Sequence, residues 1–170
     1  MAISQFNLAA GQRAERKLLV TVAEWQESNE AVREVLGTRT EDSSIEYNSD
    51  ISTTTDILGN NYTDVNRTQP QQDFDPYLVL GGSKLGAKLN DIRKRNALSE
   101  LNAFTMYIIT AFVGADGAYE AEKHTDCTIT YNSFGGDSNV NFPISVYFSN
   151  KITNGTVDKL ADDFVFTPEV

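Results

Sequence analysis

Apolar residues recur along this chain with two different periods. From Ser43 to Ile57 they alternate with polar ones. Ile45, Tyr47, Ile51 and Ile57 fall on odd positions with Thr53 and Thr55 between them, and Glu46, Asn48, Asp50, Thr54 and Asp56 fall on even positions. Successive side chains of a strand point to opposite faces, so this segment predicts a strand with one face for a core and one acidic face for water. Ile45, Tyr47 and Ile51 are its expected core positions. Leu58-Gly59-Asn60-Asn61 is a turn built of residues that tolerate positive φ, and a return strand from Tyr62 to Thr68 completes a predicted hairpin over 43–68.

The second period appears in Ser83–Asn96. Leu85, Leu89 and Ile92 fall at i, i+4 and i+7, one stripe of a helix, with Ser83 placed to cap its start. Around these two segments the pattern is mostly β. Residues 17–25 predict a strand with Leu18, Val20 and Val22 on one side, whereas 27–40 is polar and predicts a long loop. Residues 69–75 lie between Pro70 and Pro76 and predict an edge or extended connection. Phe104–Val113 is apolar on both faces, the pattern of a central strand covered on both sides, with the helix as one cover. His124–Ser133 alternates again, with Cys127, Ile129 and Tyr131 inward. Asn139–Ser149 puts Val140, Phe142, Ile144, Val146 and Phe148 on one face, and Val157, Phe164 and Phe166 belong to a last extended segment. The fold expected is mainly β with one α-helix: a β-sandwich or partly closed barrel of two antiparallel sheets, flanked by a helix at about 84–96. One domain covers 1–170, with an N-terminal arm at 1–14 and a β-rich half at 103–168.

Charge sharpens this picture. The 170 residues carry a formal net charge of −10, which argues against a basic nucleic-acid-binding surface but not against a negative channel that phosphates slide past. The charge is unevenly placed. Glu41–Asp75 holds eight acids and one base, whereas the predicted helix holds Lys84, Lys88, Arg93, Lys94 and Arg95 against Asp91 alone. These cations gather towards the helix C-terminus, where they suit its dipole, and the two oppositely charged regions are expected to meet across a subunit contact.

Catalytic and metal chemistry find little support. His124 and Cys127 are the only histidine and cysteine, and three-residue spacing on a regular strand sends them to opposite faces, a surface histidine and a core cysteine. They cannot supply the four converging ligands of a zinc site, nor a Cys–His nucleophile pair. Asp50, Asp56 and Asp64 lack calcium-loop spacing, and Gly81-Gly82-Ser83-Lys84 lacks the phosphate-loop pattern and reads as turn plus cap. No enzyme, metal or cofactor is expected. A lone cysteine excludes an internal disulfide framework, the first sixteen residues lack the apolar stretch of an export signal, and no run approaches the roughly 18 apolar residues of a membrane span.

The segment Asp56-Ile-Leu-Gly-Asn-Asn-Tyr-Thr-Asp-Val-Asn-Arg-Thr-Gln-Pro-Gln-Gln-Asp-Phe-Asp-Pro76, continuing into Lys84-Leu85, resembles the major tail tube proteins of long, non-contractile-tailed bacteriophages. The order of elements is similar over most of the chain, as are Gly155-Thr-Val157 and Asp163-Phe-Val-Phe-Thr-Pro168 near its end. The resemblance implies hexameric rings that stack into a tube, with strands of neighbouring subunits joined into one continuous barrel around a DNA channel. It implies Glu46, Asp50, Asp56 and Asp64 on the channel lining, Lys84, Lys88, Arg93 and Arg95 at subunit contacts, and a subunit core of Ile45, Tyr47, Ile51, Leu89, Ile92, Phe142, Ile144 and Val146. Implied partners are further copies of the chain, a tape-measure protein, tail terminator and distal tail proteins, and DNA in passage, with no membrane. The implied location is the virion tail, after assembly in the host cytoplasm. The arm and residues 27–40 are implied as ring-bridging regions. Two other readings stand beside this one: the inner tube of a contractile tail or injection device, and a carbohydrate- or ligand-binding β-sandwich.

Overall fold

The computed structural model describes residues 3–170. A single 3-10 turn at Arg16–Leu18 leads into β1 (Leu19–Glu27), which reverses through Ser28 and Asn29 into β2 (Glu30–Val35). Both turn residues have positive φ, 50° and 66°, the geometry of a two-residue hairpin turn whose twist matches the strands it joins. Residues 27–40 are therefore not one long loop. The segment forms a paired strand, in register from Val22 opposite Val35 to Glu27 opposite Glu30. Its polar sequence hid this because β2 is an outer strand, half-buried at most.

The chain continues through β3 (Ile45–Glu46), β4 (Asp50–Thr55), β5 (Asn61–Arg67) and β6 (Gln71–Phe74). The alternation over 43–57 is broken at Asn48, whose φ is 45°, so the expected single strand is two. β3 pairs with β6 in the body of the protein, whereas β4 and β5 pair only with each other. Next comes the helix α1 (Lys84–Arg95). Ser83 Oγ accepts from the Gly86 N–H at 3.1 Å, and Asn96 closes the helix in the left-handed conformation. Leu85, Leu89 and Ile92 are fully buried.

A 3-10 turn at Leu98–Asn102 precedes the long antiparallel pair β7 (Phe104–Ala115) and β8 (Ala118–Tyr131), followed by β9 (Ile144–Tyr147), β10 (Ile152–Val157) and β11 (Phe166–Pro168). One layer runs β2-β1-β7-β8-β10-β11 and a second runs β8-β9-β6-β3, so β8 belongs to both. The sheets are antiparallel throughout and do not close into a barrel among the described residues. The layers face each other. Thr21 of β1 donates to Gln72 of β6 at 2.8 Å across the buried interior, and Ala23, Trp25, Phe104, Met106 and Ile129 pack there against Phe74, Ile144, Val146 and the helix stripe. On its other face β7 contributes Tyr107 and Ile109, which pack with Val22, Ala121, Val157 and Phe164. The central strand is thus covered by the second layer and α1 on one side and by the C-terminal segment on the other.

An extra residue in β8 corrects the reading of His124. Cys127 lies opposite Phe104 and His124 opposite Met106, so three residues of β8 span two of β7, with Asp126 in the bulge at φ 56°. Phe104 and Met106 share a face, which puts His124 and Cys127 on that face together. Both are buried, not divided between surface and core. The imidazole is satisfied, with Nδ1 3.0 Å from the Ser149 carbonyl, Nε2 3.1 Å from Glu122 Oε2, and Phe148 packed edge-on. The strand predicted over Asn139–Ser149 is shorter than expected: β9 covers Ile144–Tyr147, and Phe142, Ile144, Val146 and Phe148 are buried but Val140 is exposed.

Candidate functional site

The β4–β5 hairpin leaves nearly all its side chains uncovered by the rest of the described residues. Its strands pair from Thr55 opposite Asn61 to Ile51 opposite Val65, and Asn66 is the extra residue of a bulge before Asp50 meets Arg67. Directly opposed residues share a face, so Ile51, Thr53, Thr55, Thr63 and Val65 form one side. Asp50, Ser52, Thr54, Tyr62, Asp64 and Arg67 form the other. Ile51 is 59% and Val65 62% exposed, and the tip residues Ile57 and Leu58 reach 102% and 81%. Such a ribbon has no core of its own, and a two-stranded hairpin alone is marginal in water.

What fixes its shape is Asp56. One carboxylate oxygen accepts from the backbone N–H of Leu58 at 2.8 Å and of Asn60 at 2.9 Å; the other accepts from Asn60 Nδ2 at 2.9 Å and Tyr62 OH at 3.1 Å. These bonds, those from Asn60 foremost, pull its pKa below the ordinary aspartate value. The turn is therefore held by a charged group that stays ionised. Asp50 faces Arg67 at 3.7 Å. Counting Asp50, Asp56 and Asp64 against Arg67, the hairpin carries three acids and one base, a net charge of −2.

The expected lining residues therefore divide. Asp50, Asp56 and Asp64 come together on the hairpin, but Glu46 sits apart on β3, opposite Gln71 of β6. Two expected core positions are corrected: Tyr47 and Ile51 are exposed in the protomer, and Ile45 is only half-buried. Alternation marks two faces of a strand but not whether either is covered, and beyond Ile45, which packs partly against the main core, the body of the protein covers neither. Leu89, Ile92, Phe142, Ile144 and Val146 are each 0% exposed.

The helix cations are also not as free as their sequence suggests. Lys84 Nζ lies 3.0 Å from Asp162, Lys88 2.8 Å from Glu100, and Arg95 reaches both Asp91 at 2.6 Å and Glu100 at 3.0 Å. Glu100, held by Arg95 and then Lys88, is pulled down to a pKa of about 2. Neutralisation by Asp91, Glu100 and the sequence-distant Asp162 removes most of the basic face expected of α1. Arg93 differs. Its guanidinium lies 4.4 Å over the Phe134 ring, with only Asn90 as a polar partner, at 2.9 Å.

Two further carboxylates do structural work that the sequence did not reveal. Glu34 of β2 accepts from Tyr77 OH at 2.8 Å, Ser83 Oγ at 3.0 Å and the Leu85 N–H at 2.8 Å, fixing the start of α1 against the sheet. Glu24 of β1 meets Arg33 at 2.5 Å and Tyr107 OH at 3.3 Å, while Arg33 also donates to the Phe164 carbonyl at 2.6 Å and covers the Phe164 ring. This tethers the C-terminal segment. Burial and the nearby Glu24 push Tyr107 up to about 12. The N-terminal arm is held on β7 through Asn7, whose N–H donates to the Phe112 carbonyl at 2.9 Å and whose Nδ2 donates to the Ala111 and Gly114 carbonyls, each at 3.1 Å, while Phe6 packs edge-on against Phe112. Phe6 and Ile3 stay exposed, and Met1 and Ala2 lie outside the described residues. Among the described residues no cluster of three or more potential metal ligands occurs, and no helix is long and apolar enough to cross a membrane.

No protein-family model matches the chain, and no curated protein matches it. Solved structures do. The chain is similar to the PVC sheath/tube terminator, in its extended state, of an extracellular contractile injection system, at 12% identity over 86% of this chain and 99% of that one, with a TM-score of 0.50. The fold is tail-tube-like. The tube terminating cap of the anti-feeding prophage (14% identity, 92% and 99% covered, TM-score 0.49) and the PVC sheath-tube complex (13%, 87% and 95%, 0.47) are also similar. At such identities the likeness is one of architecture, and it covers nearly the whole chain.

Proposed function

We propose that this chain is a structural subunit of a phage-like tail, building hexameric rings that stack into a tube whose channel passes DNA. The observation that carries this reading is the β4–β5 hairpin, a regular ribbon with Ile51, Val65, Ile57 and Leu58 uncovered by its own protomer. Neighbouring copies would cover that apolar surface and pair the free edges of β2, β3 and the hairpin, which a lone sheet must otherwise protect. With Asp50 and Asp64, which share one face of the ribbon, turned to the channel and Glu46 at its margin, the wall repels phosphates and lets DNA move without being gripped. Further partners on this reading are a tape-measure protein and the terminator and distal tail proteins at the two ends of the tube. The chain has no catalytic role in it.

The tail of a non-contractile phage is the first form of the proposal. A contractile device is the second, favoured by the solved structure of TM-score 0.50, which is a sheath/tube terminator. A sheath gene beside the coding sequence would select the second form, and a tape-measure gene without a sheath gene the first. Electron microscopy of the purified protein across concentration and salt tests the shared claim. Rings or tubes are expected, and compact monomers under every condition would overturn it.

A further inference from the structure

An apolar hollow of about 290 Å³ lies beside α1, lined by Val79, Leu80, Ala87, Asn90, Phe134 and Phe142. Its volume is of the order of two aliphatic side chains. The α1 face that forms one wall, Gly86, Ala87 and Asn90, leads at helical spacing to Arg93 and Lys94, and this corner differs from the rest of the helix. Lys84, Lys88 and Arg95 are paired with acids, but among the described residues neither Arg93 nor Lys94 has an acidic partner, and Arg93 Nε is buried without one. The hollow therefore combines apolar walls with unneutralised positive charge.

The hairpin tip has the complementary character. Ile57 and Leu58 are fully or almost fully exposed, the charged Asp56 immediately precedes them, and the four hydrogen bonds to Asp56 hold the turn in one shape before any contact is made. A knob ordered in advance loses little entropy on docking. We propose that Ile57 and Leu58 of one copy seat in the α1 hollow of a second copy, with the charged Asp56 turn against Arg93 and Lys94. This rests on the reading that the chain assembles with itself. The contact is head-to-tail: every copy added still presents one free tip and one free hollow, so assembly closes a ring or continues as a stack.

Cysteine trapping tests the contact. Leu58→Cys is combined with Ala87→Cys, and separately with Asn90→Cys as a second geometry, in full-length protein shown by circular dichroism to be folded; native Cys127 is buried and does not compete. Under mild oxidation the double variants are expected to give a ladder of trimers and longer species on non-reducing gels. Each single variant should stop at dimers, because one new thiol links at most two chains. If neither pair gives species beyond dimers while microscopy shows rings or tubes, the docking is wrong and the tail reading survives. A ladder without rings or tubes supports the docking and overturns the tail reading, and a protein that stays monomeric overturns both. A ladder from Ile3→Cys with Ala87→Cys, absent from the Leu58 pairs, would put the N-terminal arm in the hollow and overturn the assignment.

Discussion

Replacing Leu89 and Ile51 by alanine, one at a time, separates the core of the protomer from the surface assigned to its neighbours. Each substitution removes three carbons, worth about 2.5 kcal/mol of transfer free energy at about 0.8 kcal/mol per buried carbon. Leu89 is 0% exposed and packed between α1 and the sheets, so it loses all of this and leaves a cavity, for a total of about 3–5 kcal/mol. For a chain of this size, each kcal/mol moves the melting temperature by about 2–4 °C, so Leu89→Ala should melt roughly 10 °C lower. Ile51 is 59% exposed; at most two-fifths of its transfer term applies, about 1 kcal/mol, and no cavity forms. The assay is urea and thermal unfolding at a concentration where the wild type is monomeric, since assembly itself raises apparent stability. In assembly the order should reverse, with Ile51→Ala requiring a several-fold higher concentration to form rings. If Ile51→Ala destabilised the monomer as much as Leu89→Ala does, the hairpin would be packed on its own protomer and the reasoning would fail.

Three other predictions follow from particular contacts. Glu34→Ala leaves Tyr77 OH and the Leu85 N–H without their shared acceptor and should cost about 1–3 kcal/mol in urea unfolding; an unchanged midpoint would show that α1 is not anchored there. Glu100 has a folded-state pKa of about 2 against an ordinary 4.5, so its contribution to stability is fully present above about pH 4.5 and is lost as pH falls towards 2. Carboxyl NMR titration should place its midpoint near 2, and a midpoint near 4.5 would mean that the contacts with Arg95 and Lys88 are not held in solution. A Cβ at Gly155 would meet the Thr167 carbonyl oxygen and the Phe166 ring, so Gly155→Ala should detach β11 and speed proteolysis within 159–170, with wild-type cleavage rates as the contrary result.

The sequence was most legible where a local period coincides with burial. Leu85, Leu89 and Ile92 announced α1, and the two apolar faces of Phe104–Val113 announced a strand covered on both sides. The hairpin was visible from its turn, because Gly59 takes its φ of 83° without tertiary support. The misreadings share a physical origin in long-range context. β2 is too polar to look like a strand and exists because Ser28 and Asn29 return it onto β1. His124 moved from surface to core because one extra residue in β8 shifts parity, which no periodicity count over the segment registers. Tyr47 and Ile51 alternate as core residues do, yet no core of this chain holds them. The basic face of α1 was read without Glu100 and Asp162, which only the fold brings to it.

A ring-resolved cryo-EM map of the assembled protein tests the central claim most directly. The account predicts sixfold rings in which Ile51, Val65, Ile57 and Leu58 are buried between copies while Asp50 and Asp64 face the channel. Rings whose β4–β5 hairpins stand free in solvent on the outer wall would contradict it.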